Sequence, residues 1–356
     1  MRSEYAGANP TPRPMEIVQP PQPHRGLRVI GLAAVYLLLG LLTLWAASAL
    51  HFDLPISKLR ALAGVLYLVT MPAAMVLLRF RGKGIAVCLV GFLLVLMWWL
   101  SLKPSNARAW QPDVSTLAWA EIAGDRVTIH NVRNCDYRTE TDYTPRWETR
   151  TVDLTQLRGA DIFVTYWGSP WIAHPIVSFQ FGDHDYVAFS IETRKEIGES
   201  YSAIRGFFRQ YELIYIVSDE RDVVRLRSNY RKGEDVYLFH TRAGPKQARK
   251  LFLGYIEHTN QLRNRPEWYN ALTNNCTTNI AVHAAAARGG KASRFDWRLL
   301  LNGKAPEMMY ENGALAGDLP FPELKQRAYI NPAARAANDD PDFSRRIREG
   351  RPGFAP

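Results

Sequence analysis

Two side chains in this chain of 356 residues could together make a nucleophile. The first is Cys276, one of only three cysteines, in the run YNALTNNCTTNIAVHAAAARGG at residues 269–290. Asn274 or Asn275 suits an N-cap, and the alanines beyond Ile280 propagate a helix, so Cys276 falls in its first turn. Unpaired amides and the helix dipole there favour a thiolate. The helix mouth, at Asn275 and Thr277, also offers backbone donors to an oxyanion. The competing reading is a buried and inert thiol, the usual fate of cysteine. The polar NNCTTN surround is unlike a core and points the other way.

A thiol needs a base, and eight histidines are available. His24 and His51 lie in tail or loop, His184 in a hairpin turn, and His130 in no recognisable motif. His240, His258 and His283 occupy strand-end or helix positions that read as structural. His174 differs. It opens the strand HPIVSFQF at an inward position, after the Gly/Pro-rich WGSPWIA. A helix bearing cysteine packed on a sheet bearing histidine is the papain-like arrangement, in which distance along the chain is no obstacle. With the turn centred on Asp183–His184, antiparallel pairing places Thr193 opposite His174 to within one or two residues. Glu192 is then the nearest ionisable group able to orient the imidazole, with Ser190 and Thr193 as neutral alternatives. The competing role for such an acid is a solvated charge or a partner for Arg194 or Arg221.

Other chemistries find less support. There is no paired-cysteine spacing and no HExxH helix, so neither a metal nor a cofactor is expected. Cys135 could pair with Cys276 in an oxidising compartment. Catalysis by Cys276 requires that it does not, and Cys88 lies within an apolar run. The formal charge of +10 is uneven: residues 1–102 carry nine Lys/Arg against three Asp/Glu, the remainder 35 against 31. A basic excess concentrated among apolar runs suits a membrane flank, and no basic stripe with interleaved aromatics suggests nucleic acid.

The elements that must position these residues can be read from periodicity. DRVTIHNVRNC, DIFVTYWGS and HPIVSFQF alternate as strands, and GDHD turns the last into YVAFSIETR as a hairpin. VVRLRSNY and DVYLFHT read as two more strands. Pro245 opens an amphipathic helix carrying Leu251, Phe252, Tyr255, Ile256, Thr259 and Leu262, stopped before Pro266. Upstream, Val29–Leu50, Ala61–Leu78 and Gly84–Leu102 are uncharged runs of 22, 18 and 19 residues. Each is long enough to cross a bilayer as a helix. The first is too long for the core of a cleaved signal peptide, which spans about 7–15 residues.

Arg13, Arg25 and Arg28 precede the first run, and RFRGK separates the second from the third. The positive-inside rule therefore predicts a cytoplasmic N-terminus, with everything beyond Leu102 on the opposite face. The expected organisation is a disordered cytoplasmic tail at 1–26, three transmembrane helices within 27–102 and a linker at 103–118. An extracytoplasmic papain-like domain follows at 119–328, and a loose polar tail at 329–356. The expected fold class is α+β: an antiparallel papain-like sheet with packed helices.

The runs AHPIVSFQFGDHDYVAFSIETRKEIGESYS, YELIYIVSDERDVVRLR and YNALTNNCTTNI together resemble the extracytoplasmic domain of the Lnb family, over roughly Val127–Ala287. NVRNCDYRTETDYTPRW upstream fits the same pattern. The order of histidine before cysteine is also similar to circularly permuted NlpC-type folds such as lecithin:retinol acyltransferase. That resemblance implies Cys276 as nucleophile and His174 as base. The Lnb resemblance further implies N-acylation of bacterial lipoproteins at the inner membrane, with a membrane phospholipid and a lipoprotein N-terminus as substrates. Hydrolysis of a cell-wall peptide or amide bond, or a non-catalytic membrane-anchored binding module, are the alternatives.

Overall fold

The computed structural model describes residues 24–78, 81–290 and 296–354. The expected disordered tail, up to residue 23, and Arg79–Phe80 of the RFRGK turn lie outside them. The chain divides into two compact units, one ending at Trp98 and the other beginning at Trp99.

In the first unit, α1 (His24–Asp53), α2 (Ser57–Leu77) and the start of α3 (Arg81–Ser101) follow the three uncharged runs. Each is long and apolar enough to cross a membrane. Their side chains are largely exposed, including Leu37, Leu66, Val76 and Leu94, as expected of helices whose surroundings are lipid and not protein.

The second unit is α+β. Its strands are β1 (Trp119–Ala123), β2 (Arg126–Arg133), β3 (Asp136–Tyr137), β4 (Tyr143–Thr144), β5 (Trp147–Asp153) and β6 (Leu157–Trp167). They continue with β7 (Ala173–Phe181), β8 (Asp185–Arg194), β9 (Glu212–Ser218) and β10 (Glu234–His240). The main sheet runs β1-β2-β9-β8-β7-β6-β10, with β5 on β2, while β3 and β4 form a separate ribbon. The sheet is mixed and not wholly antiparallel, because β2 meets β9 in parallel through Arg133 and Ser218. The helices are α4 (Glu220–Arg225), α5 (Pro245–Asn264), α6 (Cys276–Ala287), α7 (Ala305–Glu311), α8 (Phe321–Ala328), α9 (Asn331–Ala336) and α10 (Phe343–Arg346).

Strands β6 to β9 are buried along nearly their whole length. Both faces of the sheet must therefore be covered. On one face α5 lays Phe252, Tyr255, Ile256 and Leu262 against Phe179, Phe189 and Tyr215, at the helical spacing expected from sequence. Edge-to-face ring contacts between Phe179, Phe189 and Phe252, with centroids 5.2–5.9 Å apart, lock that layer.

The other face corrects two sequence expectations. Residues 329–354 of the expected loose tail are packed instead: Ile330, Ala334, Phe343 and Ile347 are buried against Phe163, Ile176 and Ala188. Four apolar side chains spread among Arg, Pro and Asp cap the second face. VVRLRSNY is not a strand either. Asp219 caps α4 by accepting from the Arg221 amide at 2.9 Å, and the chain continues as a π-helical turn through Leu226–Tyr230. The Val/Arg alternation misleads because both residue types are buried here, the valines in the core and Arg225 and Arg227 among polar partners.

The linker at 103–118 is also tied down. Ser105 donates its amide to Glu212 at 3.0 Å, Asn106 bonds the Leu262 and Arg263 carbonyls at 3.0 Å, and Trp110 is buried.

Candidate active site

Asn275 caps α6, as the NNC run suggests. Its side chain accepts from the Thr278 amide at 2.9 Å, and the Thr278 hydroxyl answers by accepting from the Asn275 amide at 2.9 Å. The Asn275 carboxamide also donates to the Ala271 carbonyl at 2.7 Å. The Asn275 backbone amide is thus spent on the cap, which takes it out of use as an oxyanion donor. Cys276 takes the first helical position, and the Thr277 amide is turned toward its sulfur. The Thr277 hydroxyl stands 3.8 Å from the Cys276 sulfur.

His174 lies near the start of β7, where Thr165 of β6 flanks it on one side. On the other side the β7–β8 register pairs Ile176 with Ser190. Two residues further along, that register brings Glu192 opposite His174, one residue from the position expected for Thr193. The Glu192 carboxylate lies 3.7 Å from His174 Nε2, too far for a hydrogen bond, and Ser190 fills the gap. Its hydroxyl is 2.7 Å from His174 Nε2 and donates to Glu192 Oε1 at 2.6 Å. With that proton committed to the carboxylate, Ser190 can only accept from the ring. The network therefore assigns the proton to Nε2 and leaves the Nδ1 lone pair as the basic site. Arg227, from the segment misread as a strand, fixes the far end with Nη2 3.2 Å from Glu192 Oε1.

Asn302 joins the two halves, and nothing in the sequence pattern singled it out. Its carboxamide oxygen accepts from the Ala173 amide at 2.8 Å, and its nitrogen points at the Cys276 sulfur at 3.9 Å. One side chain thus touches the nucleophile and the residue next to the base. Gly303 makes this possible. Its amide donates to the Trp171 carbonyl at 2.9 Å, and its carbonyl accepts from the Tyr166 hydroxyl at 2.7 Å. A Cβ at Gly303 would sit 2.3 Å from the Pro170 carbonyl oxygen, so only glycine permits this approach.

The site is closed, with Cys276 6% exposed and His174 9% exposed. Burial pushes the Cys276 thiol up to about 11, against smaller opposing pulls from the Thr277 hydroxyl and amide and from Arg227. Burial, with Arg227 next, brings the His174 imidazole down to about 3. Burial also opposes the Glu192 charge, but Arg227, His174 and Arg133 outweigh it and hold that carboxyl well below its ordinary range. Burial thus favours a neutral Cys276 thiol and a neutral His174 imidazole, not the thiolate expected from the helix mouth alone. Burial outweighs the favourable pulls on the thiolate here. A surface recess lined by Arg242, Tyr310, Leu315 and Asp318 among others contains none of these residues.

Cys88, Cys135 and Cys276 are all free thiols, with no disulfide between Cys135 and Cys276. The Cys135 amide donates to Asp222 at 2.7 Å, and its thiol is raised to about 11, first by burial and then by Asp222.

Residues 143–303 match the Lnb N-terminal periplasmic domain. The Lnb match encloses His174, Ser190, Glu192, Arg227, Cys276 and Asn302. It begins later than the resemblance in sequence suggested, leaving most of NVRNCDYRTETDYTPRW outside, and runs past Ala287 to Gly303. A periplasmic family preceded by three apolar helices describes a membrane protein with a periplasmic domain. Comparison with curated proteins and with solved structures gave no significant match.

Proposed function

We propose that this protein is a membrane-tethered thiol acyltransferase, held in the bacterial inner membrane by three crossings. The observation that carries this reading is the convergence on Asn302: a first-turn cysteine on one side, and on the other a histidine whose tautomer is set through Ser190 and Glu192. His174 Nδ1 takes the Cys276 thiol proton as the sulfur attacks the carbonyl carbon of an acyl ester. The Cys276 and Thr277 amides, with Asn302 Nδ2, face the oxygen that gains charge. On collapse the C–O bond breaks and His174 returns its proton to the leaving alcohol, giving a thioester on Cys276. An amine then attacks the thioester, His174 takes the amine proton, and the C–S bond breaks to give an amide and the free thiol. A closed, desolvated site favours transfer over hydrolysis because water competes poorly for the thioester.

By the Lnb resemblance, the donor is a membrane phospholipid and the acceptor the N-terminus of a lipoprotein. The neutral resting pair means that proton transfer accompanies substrate entry instead of preceding it. Incubation with a labelled phospholipid, a diacylated lipopeptide with a free amine and peptidoglycan fragments tests the reading. Hydroxylamine-sensitive label on Cys276, followed by label on the lipopeptide amine, is the expected result. Release of fatty acid or cleavage of wall fragments without an acylated acceptor would make the protein a hydrolase. Absence of any reaction, with binding retained, would make it a binding module.

A further inference from the structure

Beside the site lies an apolar patch that the core does not use. Ile204 is 62% exposed, Phe207 40% and Leu272 49%. The patch is continuous across two loops. Ala271 donates its amide to the Gly206 carbonyl at 2.7 Å, and Asn270 reaches the Phe207 carbonyl at 3.4 Å. A Cβ on Gly206 would lie 3.3 Å from Ala271 Cβ, so the two loops are in close contact. Leu272 precedes Cys276 by four residues, and the carbonyl of its neighbour Ala271 is held by Asn275 of the cap.

The same loops are fastened to the end of the third apolar helix. The candidate span there runs Gly82–Ser101. Arg209, two residues beyond Phe207, donates to the Leu100 carbonyl at 3.2 Å and also to that of Leu102. Its guanidinium lies 4.2 Å from the centroid of the Trp99 ring. Trp268 Nε1 donates to the Leu102 carbonyl at 3.4 Å, while the Trp268 carbonyl accepts from Asn274 at 3.0 Å. A short line of hydrogen bonds therefore runs from the point where the span ends to the residues ahead of Cys276.

We propose that Ile204, Phe207 and Leu272 seat the domain on the surface of a lipid bilayer, so that the acyl donor reaches Cys276 from the bilayer and not from water. The second half of this statement rests on the acyltransferase reading; the seating itself does not. A bilayer is the occupant favoured by position, because the patch is fixed to residues at the end of a span. Its chemistry agrees: aromatic and branched apolar side chains flanked by Arg205 and Arg209 suit the apolar-to-headgroup boundary and anionic lipid.

The test uses the full chain in vesicles of phosphatidylethanolamine and phosphatidylglycerol, with the three native cysteines replaced by serine. An environment-sensitive fluorophore is placed in turn by Phe207→Cys, by Leu272→Cys and, as a control, by Asp318→Cys. Quenching by spin-labelled lipid at positions 207 and 272, but not at 318, is expected. Equal quenching at all three sites, or none at 207 and 272, would overturn the proposal. A blue-shifted emission without lipid quenching would overturn it too, and would make the patch a contact with protein, such as a second copy.

A second measurement uses the triple variant Ile204→Asp, Phe207→Asp, Leu272→Asp with Cys276 intact. Acylation of Cys276 from vesicle lipid should fall at least about tenfold, the equivalent of one lost apolar side chain. Acylation by a short water-soluble thioester should be unchanged. An equal loss with both donors would overturn the patch as a lipid seat. If neither donor acylates the parent protein while the quenching pattern holds, the acyltransferase reading fails and the bilayer seat stands.

Discussion

The second unit contains two buried clusters built from the same residue types on adjacent strands, and they do different things. In one, His240 Nδ1 lies 2.6 Å from Asp161, Asp161 is held by Arg348 at 2.8 Å, and Arg348 forks onto Glu220 at 2.6 and 2.8 Å. Ser178 donates to Glu220 at 2.5 Å. In the other, Arg227, Glu192, Ser190 and His174 form a chain of single contacts that ends at His174 Nε2. Histidine, serine, carboxylate and arginine occur in both. In the first, Arg348 brings α10 onto the sheet and joins two acids from different elements, so the cluster is a brace. In the second, the serine relays the acid to His174 Nε2, and Asn302 links the residue beside that histidine to the Cys276 sulfur. Each histidine has one ring nitrogen bonded to its cluster, so what makes the second cluster a candidate site is its link through Asn302 to a thiol.

The largest effects should separate the clusters completely. Cys276→Ala should abolish the acyl adduct, measured by mass spectrometry of the intact chain, while Arg348→Ala should leave Cys276 its reactivity per folded molecule. Arg348→Ala should instead lower stability by about 3–5 kcal/mol, because it strands two buried carboxylates. A midpoint of denaturant unfolding in detergent reads this directly. An active-site loss from Arg348→Ala with unchanged stability would break the distinction.

Next in size, His174→Ala should slow adduct formation by roughly 10²–10⁴-fold, as expected of a lost general base. Histidine replacement in the brace, His240→Ala, should not slow it. Asn302→Ala should cost about 10²–10³-fold if its carboxamide serves the oxyanion. Asn302→Asp, which cannot donate to an oxyanion when ionised, should recover none of it.

Glu192→Gln sharpens the comparison further. It keeps an oxygen for Ser190 but loses the charge, and a loss of about 10–100-fold in rate is the scale of such outer partners. Direct catalysis by Glu192 would instead bring the loss up to that of His174→Ala.

The smallest expected effect is a pH dependence of stability. The folded-state pKa of His174 is depressed to about 3, below its ordinary value near 6.5. Between those values the unfolded chain binds a proton that the folded chain refuses, so His174 makes stability fall as pH drops through that window. Glu192, held low in the folded state, contributes stability above its ordinary pKa and loses it as pH falls further. Thermal midpoints at pH 7 and pH 5 should therefore differ less in His174→Gln than in the parent chain. An identical difference would place the acid sensitivity elsewhere.

The sequence by itself determined the local and periodic features. The three apolar runs, the hairpin from HPIVSFQF into YVAFSIETR, and the α5 stripe ending before Pro266 follow from spacing alone, because each is stabilised by neighbours in sequence. The capped helix opening at Cys276 also follows, since Asn275 and Thr278 are three residues apart. So does the choice of His174 with Glu192 close by, because one turn fixes the hairpin register. Only tertiary structure decided what these residues experience. Burial of Cys276, which raises its thiol pKa, is decided by tertiary packing and not by the helix mouth. Asn302 becomes a bridge because Gly303 can press against Pro170, a contact across more than a hundred residues. Arg227 reached Glu192 from a stretch whose alternation imitated a strand, and the polar C-terminal segment became the cover of a sheet face. A one-dimensional pattern records how often apolar residues recur. It does not record which distant surface will bury them, and desolvation, which sets the chemistry of this site, depends on that surface.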